Sequence, residues 1–495
     1  MELHEYTQYD AVGLARLVAR GEVTAAELAD AARAAMAAVN PQLNAVVESW
    51  PAEDEPVPGS SPLAGVPFLI KDLAVSMRGR RVELGSRLAA GNTARQDSFL
   101  MRRFRRAGLV TLGRTATPEF AFSTTTEPLL YGAARNPWDP ARTPGGSSGG
   151  AAAAVASGIT PLAHATDAAG SIRVPAAATG LFGLKPTRGR VSLGPDADEV
   201  FNGLAVHGGL SRTVRDSAAL LDLIQGPETG DPYYPERPRR PYGEEVTRDP
   251  GRLRIGLLTA PWSGRAVEPP VTAAALAAAR LLESLGHHVD ATTVDLGVDW
   301  EEFVLANARL WTANLVKWID DLAGATGRPV DGSTVEPEML AAYDWGLKVS
   351  GAEFVHALDV RNRVARSVGA HFEAQDLLLT PALPELPVLL GTYGRGAEGA
   401  DGRGWVEHLF HRSPFTAPFN VAGTPAMSVP LASDPATGLP VGVQFAAGHG
   451  REDTLFRLAA QLERAAPWAD RRPAVWAGAA ARPGQSGTKV PVPGR

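Results

Sequence analysis

Short apolar runs alternate with amphipathic segments along the chain, and this pattern predicts strands and helices in turn. Amphipathic spacing and end signals predict helices at about residues 10–20, 24–39, 97–107, 150–157, 211–224, 270–285, 300–370 and 452–465. Apolar runs predict strands at about residues 43–48, 63–75, 109–113, 252–257, 288–295, 377–380, 426–430 and 441–445. Because the two kinds of element alternate, we expect an α/β fold with a mixed, mostly parallel twisted sheet covered on both faces by helices.

The predicted strand at residues 63–75, LAGVPFLIKDLAV, carries a lysine, Lys71, inside an apolar run. Lysine is rare in this chain, with five among the 48 lysines and arginines together. Unlike arginine, lysine can readily lose its proton. Burial among neighbours such as Phe68 and Leu69 would lower its pKa. An ion pair between Lys71 and the adjacent Asp72 is the alternative interpretation.

The segment 143–187 combines many small residues with several serines, among them a pair at 147–148 and Ser171 after DAAG. It reads TPGGSSGGAAAAVASGITPLAHATDAAGSIRVPAAATGLFGLKPT and contains Ser147, Ser148 and Ser171. Glycine is favoured where the backbone turns sharply or approaches a ligand closely. We therefore interpret these serines as working parts of a hydrolase.

Ser147 and Ser148 each satisfy the G-x-S-x-G pattern of an α/β-hydrolase nucleophile elbow. That motif requires a strand directly before the serine, whereas RNPWDPARTPGG is typical of loop and turn. A glycine turn that precedes an alanine-rich helix is the simpler interpretation. None of the ten histidines is an obvious partner, and His164 is predicted to be buried rather than catalytic.

Composition narrows the possible classes of protein. The 495 residues include no cysteine, which excludes disulfides, zinc–thiolate sites and a cysteine nucleophile. The formal net charge of −6 gives no basic field for nucleic acid. No apolar run is long enough to span a membrane, and MELHEYTQYD has no signal-peptide pattern. We expect a cytoplasmic protein that binds neither nucleic acid nor membrane.

Three motifs occur in order: GVPFLIKD, GGSSGG and DAAGSIRVPAAATGLFGLKP. With the later FTAPFNVAGTPAMSVP and GLPVGVQF, they resemble the amidase signature family over about residues 10–475. The resemblance implies hydrolysis of carbon–nitrogen bonds other than peptide bonds, on a small-molecule amide, without cofactor or metal. It leaves a homodimer open. It also implies one domain over residues 1–479, with N-terminal helices at 10–39, a catalytic core at 62–225 and a variable helical region at 300–375 that borders the substrate. The Gly/Pro/Ser-rich residues 480–495 are predicted to be disordered.

Carried over residue by residue, the resemblance implies a catalytic triad of Lys71, Ser147 and Ser171, with a cis peptide bond between Gly146 and Ser147. A serine hydroxyl needs an adjacent base. Neutral Lys71 would take a proton from Ser147, and Ser147 would take one from Ser171. Ser171 would then attack the carbonyl to form an acyl-enzyme.

The resemblance also assigns supporting residues around the triad. Its oxyanion hole consists of backbone N–H groups, its substrate contacts lie in EFAFSTTTEP and the variable region, and its supporting side chains flank the serines. These residues are Ala168, Ala169, Gly170 and Ser171 for the oxyanion hole, Ala121, Phe122, Ser147 and Trp311 for substrate, and Ser148, Asp167 and Arg173 for support. The common family pattern is D-x-G-G-S, so Ala169 is a departure in this chain.

The D-A-A-G-S variant and the ending GREDTLFRLAAQLERAAPW are similar to a family branch that hydrolyses nylon oligomers. This similarity favours 6-aminohexanoate-type cyclic or linear amides as substrates. Carbamate and aryl-acylamide hydrolysis remain alternatives, as do a glutamine amidotransferase subunit and an inactive binding scaffold.

Overall fold

The strands form two sheets in the part of the chain that the computed structural model describes, residues 1–52 and 61–479. The predicted disorder of residues 480–495 lies outside the described residues. The strands are β1 Val46–Ser49, β2 Pro67–Lys71, β3 Val110–Thr115, β4 Leu162–Asp167, β5 Phe182–Lys185, β6 Val206–Ser211, β7 Arg254–Leu257, β8 His288–Ala291, β9 Leu377–Pro381, β10 Ala426–Ser433 and β11 Pro440–Ala447.

Helices surround these sheets. The α-helices are α1 Leu3–Tyr6, α2 Ala11–Ala19, α3 Ala25–Leu43, α4 Phe99–Arg106, α5 Gly149–Ala156, α6 Arg173–Thr179, α7 Val214–Ile224, α8 Tyr242–Glu245, α9 Pro269–Ser284, α10 Trp300–Thr326, α11 Pro337–Gly346, α12 Gly351–Ala374, α13 Gly402–Arg412, α14 Ala417–Ala422 and α15 Glu452–Ala465. Short 3₁₀ turns occupy Arg87–Ala89, Glu119–Ala121 and Ala477–Ala479. No described helix combines the length and the apolarity that crossing a bilayer requires.

The larger sheet has eight strands in the order β4-β6-β5-β10-β11-β9-β7-β8, and the smaller one has the order β1-β3-β2. The α/β class and the mixed sheet are confirmed, but the expectation of mostly parallel pairing is wrong. In the larger sheet β7 pairs in parallel with β8 and β9, while the other five pairs are antiparallel. A tight turn at residues 434–439 joins β10 to β11, and so short a connection enforces antiparallel pairing. In addition, β6 lies between β4 and β5, so the helix that connects these two strands does not produce a parallel pair.

Side-chain alternation along the strands explains why both faces of the larger sheet are covered. Leu377 and Leu379 pack into one hydrophobic cluster with α3, α5, α7, α9 and α15. Leu378, which points to the opposite face, packs into a second cluster with α10–α14. We conclude that the chain buries two hydrophobic layers, one on each side of the sheet.

Local signals account for several element ends. The Thr24 hydroxyl accepts from the Glu27 N–H, and the Glu27 carboxylate accepts from the Thr24 N–H, which completes the predicted capping box of α3. Helix α3 extends beyond the predicted end near residue 39 to Leu43, with Pro41 inside its last turn. The predicted buried strand with Lys71 is confirmed as β2, which pairs in parallel with β3.

Three strands were not predicted: β4, β5 and β6. They are short and buried along their whole length, and they include polar residues and glycines that mask the apolar signal. Gly209 in β6 leaves room for its neighbours, since a Cβ there would lie 2.3 Å from Leu220 Cδ2 and 3.1 Å from the Ala163 carbonyl oxygen. These strands matter because β4 packs beside β2 and ends at the loop that carries Ser171.

Candidate active site

Lys71 is the last residue of β2, and its side chain is fully buried. Its Nζ lies 2.7 Å from Ser147 Oγ, 3.1 Å from Ser148 Oγ and 2.9 Å from Thr166 Oγ1. Burial removes water from the ammonium form and lowers the pKa of Lys71 to about 7, against a smaller opposing effect of the Asp167 charge. A neutral amine surrounded by hydroxyls is therefore available near neutral pH.

Asp72 does not pair with Lys71, so the ion pair considered from the sequence does not form. The Asp72 carboxylate accepts from Arg114 at 2.7 Å and from the Glu83 backbone N–H at 2.7 Å. Arg114 also contacts Glu83 and donates to Glu48 at 2.7 Å. Arg114 thus compensates the charge of the Asp72 carboxylate, and the partners of Lys71 Nζ are three hydroxyl oxygens.

His164 lies behind Lys71 on β4 and is buried, as predicted. Its Nδ1 accepts the Lys71 backbone N–H at 3.3 Å, which assigns the ring proton to Nε2. Nε2 then donates to His207 Nδ1 at 3.0 Å. Burial lowers the pKa of both imidazoles, to about 3 for His207. The pair is neutral at physiological pH and places no positive charge against the lysine.

Ser147 and Ser148 precede α5, and the peptide bond between Gly146 and Ser147 is cis. Glycine is needed at 146 because a Cβ there would lie 2.5 Å from the Thr125 carbonyl oxygen. The residues before Ser147 form no strand, so the strand that a nucleophile elbow requires is not there. Both serines are buried, with their hydroxyls on Lys71.

Ser171 lies on the loop between β4 and α6, which Asp167 organises from within. The Asp167 carboxylate accepts the N–H groups of Gly170 at 2.7 Å and Ile172 at 3.1 Å. It also accepts two hydrogen bonds from Arg173, each at 2.9 Å. Burial alone would raise the pKa of Asp167, but the Arg173 guanidinium holds it well below its usual range. The structure thus places Asp167 and Arg173 beneath the loop, as support.

Sequence reasoning missed the polar residues that complete this support. Arg173 donates to Asn420 Oδ1 at 2.6 Å, to Gln444 Oε1 at 2.7 Å and to the Thr416 carbonyl at 2.9 Å. The Thr416 hydroxyl donates to the Ala169 carbonyl at 2.6 Å. The sequence did carry a signal for them: FTAPFNVAG and GLPVGVQF place isolated polar residues in apolar segments. A buried polar side chain requires a hydrogen-bond partner, so these residues could have been expected to contact another polar group.

Of the four residues predicted for the oxyanion hole, Gly170 uses its N–H within the loop, on Asp167. The N–H groups of Ala168, Ala169 and Ser171 make no hydrogen bond in the described part of the chain. Ala169 does not adopt left-handed backbone, whereas Gly170 does, with a φ of 131°. The backbone therefore requires glycine at 170 and accommodates alanine at 169, whose side chain packs into the second hydrophobic cluster.

A narrow cavity opens onto the serines, with about 370 Å³ of empty space including the solvent at its mouth. Ser147, Ser171 and Thr166 are its hydroxyl-bearing residues, and the rest of its wall is apolar. The apolar residues are Leu73, Ala74, Ala121, Ala168, Leu193, Val200, Phe201, Ala205, Val206 and Trp318. Ser147 and Ser171 therefore face one shared space whose wall carries no charged side chain.

Two of the four predicted substrate contacts, Ala121 and Ser147, lie on this wall. Phe122 and Trp311 stand behind it instead: the Trp311 ring stacks on Phe201 at 4.4 Å and meets Phe122 edge-on at 5.0 Å. Trp318, two turns along α10 from Trp311, reaches the wall. Phe122 also borders a different cavity of about 750 Å³.

Among the residues described, no three His, Asp or Glu side chains converge as metal ligands would.

Comparison with known proteins adds a family and two sets of relatives. The family model described as Amidase matches residues 22–456. The chain is 41% identical to the 6-aminohexanoate-cyclic-dimer hydrolase of Paenarthrobacter ureafaciens over 482 residues, which cover 94% of this chain and 96% of that protein.

Solved structures agree with this result. A 6-aminohexanoate cyclic dimer hydrolase complexed with substrate superposes with a TM-score of 0.88 at 38% identity, covering 95% of this chain and 99% of the other. A bacterial aryl acylamidase of the amidase signature family superposes with a TM-score of 0.84 at 26% identity, covering 96% and 99%. The similarity thus extends over nearly the whole length of each chain.

Proposed function

We infer a mechanism for this chain, which belongs to the amidase signature family and is an amide hydrolase that acts on a carbon–nitrogen bond. We propose that it cleaves a carboxylic amide through an acyl-enzyme on Ser171. The observation that carries the proposal is the 2.7 Å contact between the buried Lys71 amine and Ser147, on the wall of a cavity that Ser171 shares.

The proposed first step moves a proton along the triad. Neutral Lys71 accepts the Ser147 proton while Ser147 accepts the proton of Ser171, and the Ser171 oxygen attacks the amide carbonyl carbon. The carbonyl π electrons move to its oxygen, which gains negative charge. The N–H groups of Ala168, Ala169 and Ser171 are the donors we assign to this oxyanion, since Gly170 is committed to Asp167.

Collapse of the tetrahedral intermediate breaks the carbon–nitrogen bond. Ser147 returns a proton to the departing nitrogen, and Lys71 reprotonates Ser147, so the amine leaves neutral. Water then enters, loses a proton along the same path and attacks the ester carbonyl. The free acid and the Ser171 hydroxyl are released, and the triad regains its starting protonation state.

We propose 6-aminohexanoate-type cyclic or linear amides as substrates. An apolar wall without a charged side chain suits an aliphatic, uncharged chain beside the scissile bond. Helix α10, in the region 300–375, contributes Trp318 to this wall. Phe122 and Trp311 contact the Phe201 ring from the side away from the cavity. Hydrolysis of aryl acylamides or carbamates is the second candidate, favoured by the likeness to the aryl acylamidase structure.

The proposal is tested by hydrolysis of 6-aminohexanoate cyclic dimer, its linear dimer, 4-nitroacetanilide, ethyl carbamate and L-glutamine. We expect kcat/KM to be highest for a 6-aminohexanoate amide and at least about 100-fold lower for glutamine. The ammonium and carboxylate of glutamine lie close to its side-chain amide and would find no partner on the wall, whereas the charges of the linear dimer lie at the far ends of its aliphatic chains. Highest activity on 4-nitroacetanilide or ethyl carbamate would select the second candidate. A preference for glutamine would overturn the assignment of an amide that has only aliphatic groups beside the scissile bond.

The rate of hydrolysis should depend on pH through Lys71. The amine must be neutral to accept a proton, so kcat/KM should rise as pH increases through about 7 and then level off. Glu336, whose pKa burial also raises to about 7, provides the control. The Glu336→Gln variant should keep the same acid limb, that is, the same rise of kcat/KM with pH below about 7. If this variant lost the rise, Glu336 and not Lys71 would be the titrating group.

A further inference from the structure

The Lys71 amine has three oxygen neighbours, and catalysis requires its lone pair to face one of them, Ser147. A neutral amine carries two hydrogens and one lone pair, so the other two oxygens must accept those hydrogens. The oxygens available are Ser148 Oγ at 3.1 Å and Thr166 Oγ1 at 2.9 Å. The hydrogen bonds that these two hydroxyls already make therefore decide where the lone pair points.

Ser148 is restricted to the role of acceptor. Its hydroxyl donates its single hydrogen to the Thr166 carbonyl at 3.2 Å and accepts the Thr166 N–H at 3.3 Å. A hydroxyl has one hydrogen and two lone pairs. One lone pair is left, and it faces Lys71 Nζ.

Thr166 supplies the second acceptor. In the described part of the chain, Lys71 Nζ is the hydrogen-bond partner of its Oγ1. Thr166 also lies on the wall of the substrate cavity. When Oγ1 accepts from the amine, its own hydrogen is free for a polar group in that cavity and does not compete with Ser147 for the lone pair.

We propose that Ser148 and Thr166 are positioning residues that accept the two hydrogens of the neutral Lys71 amine and thereby direct its lone pair at Ser147. The proposal rests on the proposed role of Lys71 as base and adds how that base is aimed. Both acceptors depend on Thr166 of β4: its backbone N–H and C=O hold the Ser148 hydroxyl, and its own side chain accepts from the amine.

The same oxygens also stabilise the protonated amine, which donates three hydrogen bonds. Removing Thr166 Oγ1 should therefore have two effects at once. The lone pair loses its enforced direction, which lowers the plateau rate, and the ammonium loses one acceptor, which lowers the pKa of Lys71 further. The acid limb should then move to lower pH, because the amine becomes neutral earlier as pH rises.

Other groups near Lys71 do not produce this shift. Asp167 on β4 stays ionised, because Arg173 holds its pKa well below its usual range. His164 on β4 and His207 on β6 stay neutral, since burial lowers the pKa of each. Asp72, the next residue, is compensated by Arg114. An acid limb that moves with Thr166 therefore reports on Lys71.

The test compares Thr166→Val with Thr166→Ser through the rate at which phenylmethylsulfonyl fluoride modifies the protein between pH 5 and pH 9. Thr166→Val should lower the plateau rate about 10- to 100-fold and shift the acid limb down by roughly one unit, and Thr166→Ser should restore both to within about threefold. Thr160→Val is the matched control, since the buried Thr160 hydroxyl has no hydrogen-bond partner among the described residues. It should behave as the parent protein.

Failure of this proposal and failure of the proposed function have different signatures. If the parent protein is not modified at Ser171, the triad assignment itself fails. If the parent is modified but Thr166→Val keeps the parent plateau and limb, Thr166 does not aim the base. A lowered plateau without a shifted limb would also overturn the proposal, because a purely structural defect gives that result.

Discussion

Replacing Ser171 with alanine is expected to abolish amide hydrolysis, with a loss of at least about 10,000-fold in kcat, because the variant lacks the nucleophile of the proposed acyl-enzyme. The variant should remain folded. The Ser171 hydroxyl makes no hydrogen bond to any described residue, so its removal leaves no buried group unpaired. Steady-state kinetics measure the first effect, and a thermal melt within about 2 °C of the parent measures the second.

Ser428→Ala is the matched control for Ser171→Ala. Ser428 lies on β10, is buried, and has a hydroxyl without a hydrogen-bond partner in the described part of the chain. Its removal should leave kcat within about threefold. Intact-mass measurement after phenylmethylsulfonyl fluoride should find an adduct on this control and none on Ser171→Ala. Residual turnover of Ser171→Ala near the parent level would assign the nucleophile elsewhere.

The second large effect is expected from Lys71→Met, which keeps an unbranched apolar side chain in the buried position and removes the base. We expect kcat/KM to fall about 1,000- to 10,000-fold, the usual contribution of a positioned general base at its upper end. The residual activity should also lose the acid limb near pH 7, since no amine remains to titrate. A pH–rate profile of purified variant and parent measures both effects.

Lys185→Met separates this effect from the cost of altering any buried lysine. Lys185 is as buried as Lys71, but its Nζ donates to the Pro186 carbonyl at 2.9 Å, and it does not line the cavity. We expect kcat/KM of this variant to stay within about tenfold of the parent and its acid limb to be unchanged. Equal losses in the two variants would contradict a specific role for Lys71 as base.

Local patterns in the sequence predicted the buried position of Lys71 and the close backbone approach before Ser147. An apolar run with one lysine predicts a buried strand, and β2 carries Lys71 at its end. A glycine pair before two serines predicts a tight approach of backbone, and Gly146 packs against Thr125. Both features depend on residues that are adjacent in the chain, so the local sequence is enough to predict them.

Contacts between distant residues were beyond that kind of reasoning. Thr166 contacts Lys71 only because β4 packs beside β2, and β4 itself was missed as a strand. Asn420 and Gln444 reach Arg173 from elements far along the chain. Phe201 was not predicted at the cavity because its ring is placed by stacking on Trp311. Side-chain positions of this kind depend on tertiary packing, which periodicity does not encode.

Lys71 and Thr166 belong to different sheets, so the contact between the proposed base and this hydroxyl depends on how firmly the two sheets are docked. Lys71 ends a strand of the three-stranded sheet, whereas Thr166 and His164 lie on the edge strand of the eight-stranded one. If thermal loosening admits water along this seam, the amine becomes hydrated and its pKa returns toward the ordinary value of about 10.4. Lysine then holds its proton at neutral pH and cannot act as base. If Lys71 is the base, as proposed, hydrolysis is expected to be lost once this seam hydrates, while both sheets can still keep their internal hydrogen bonds.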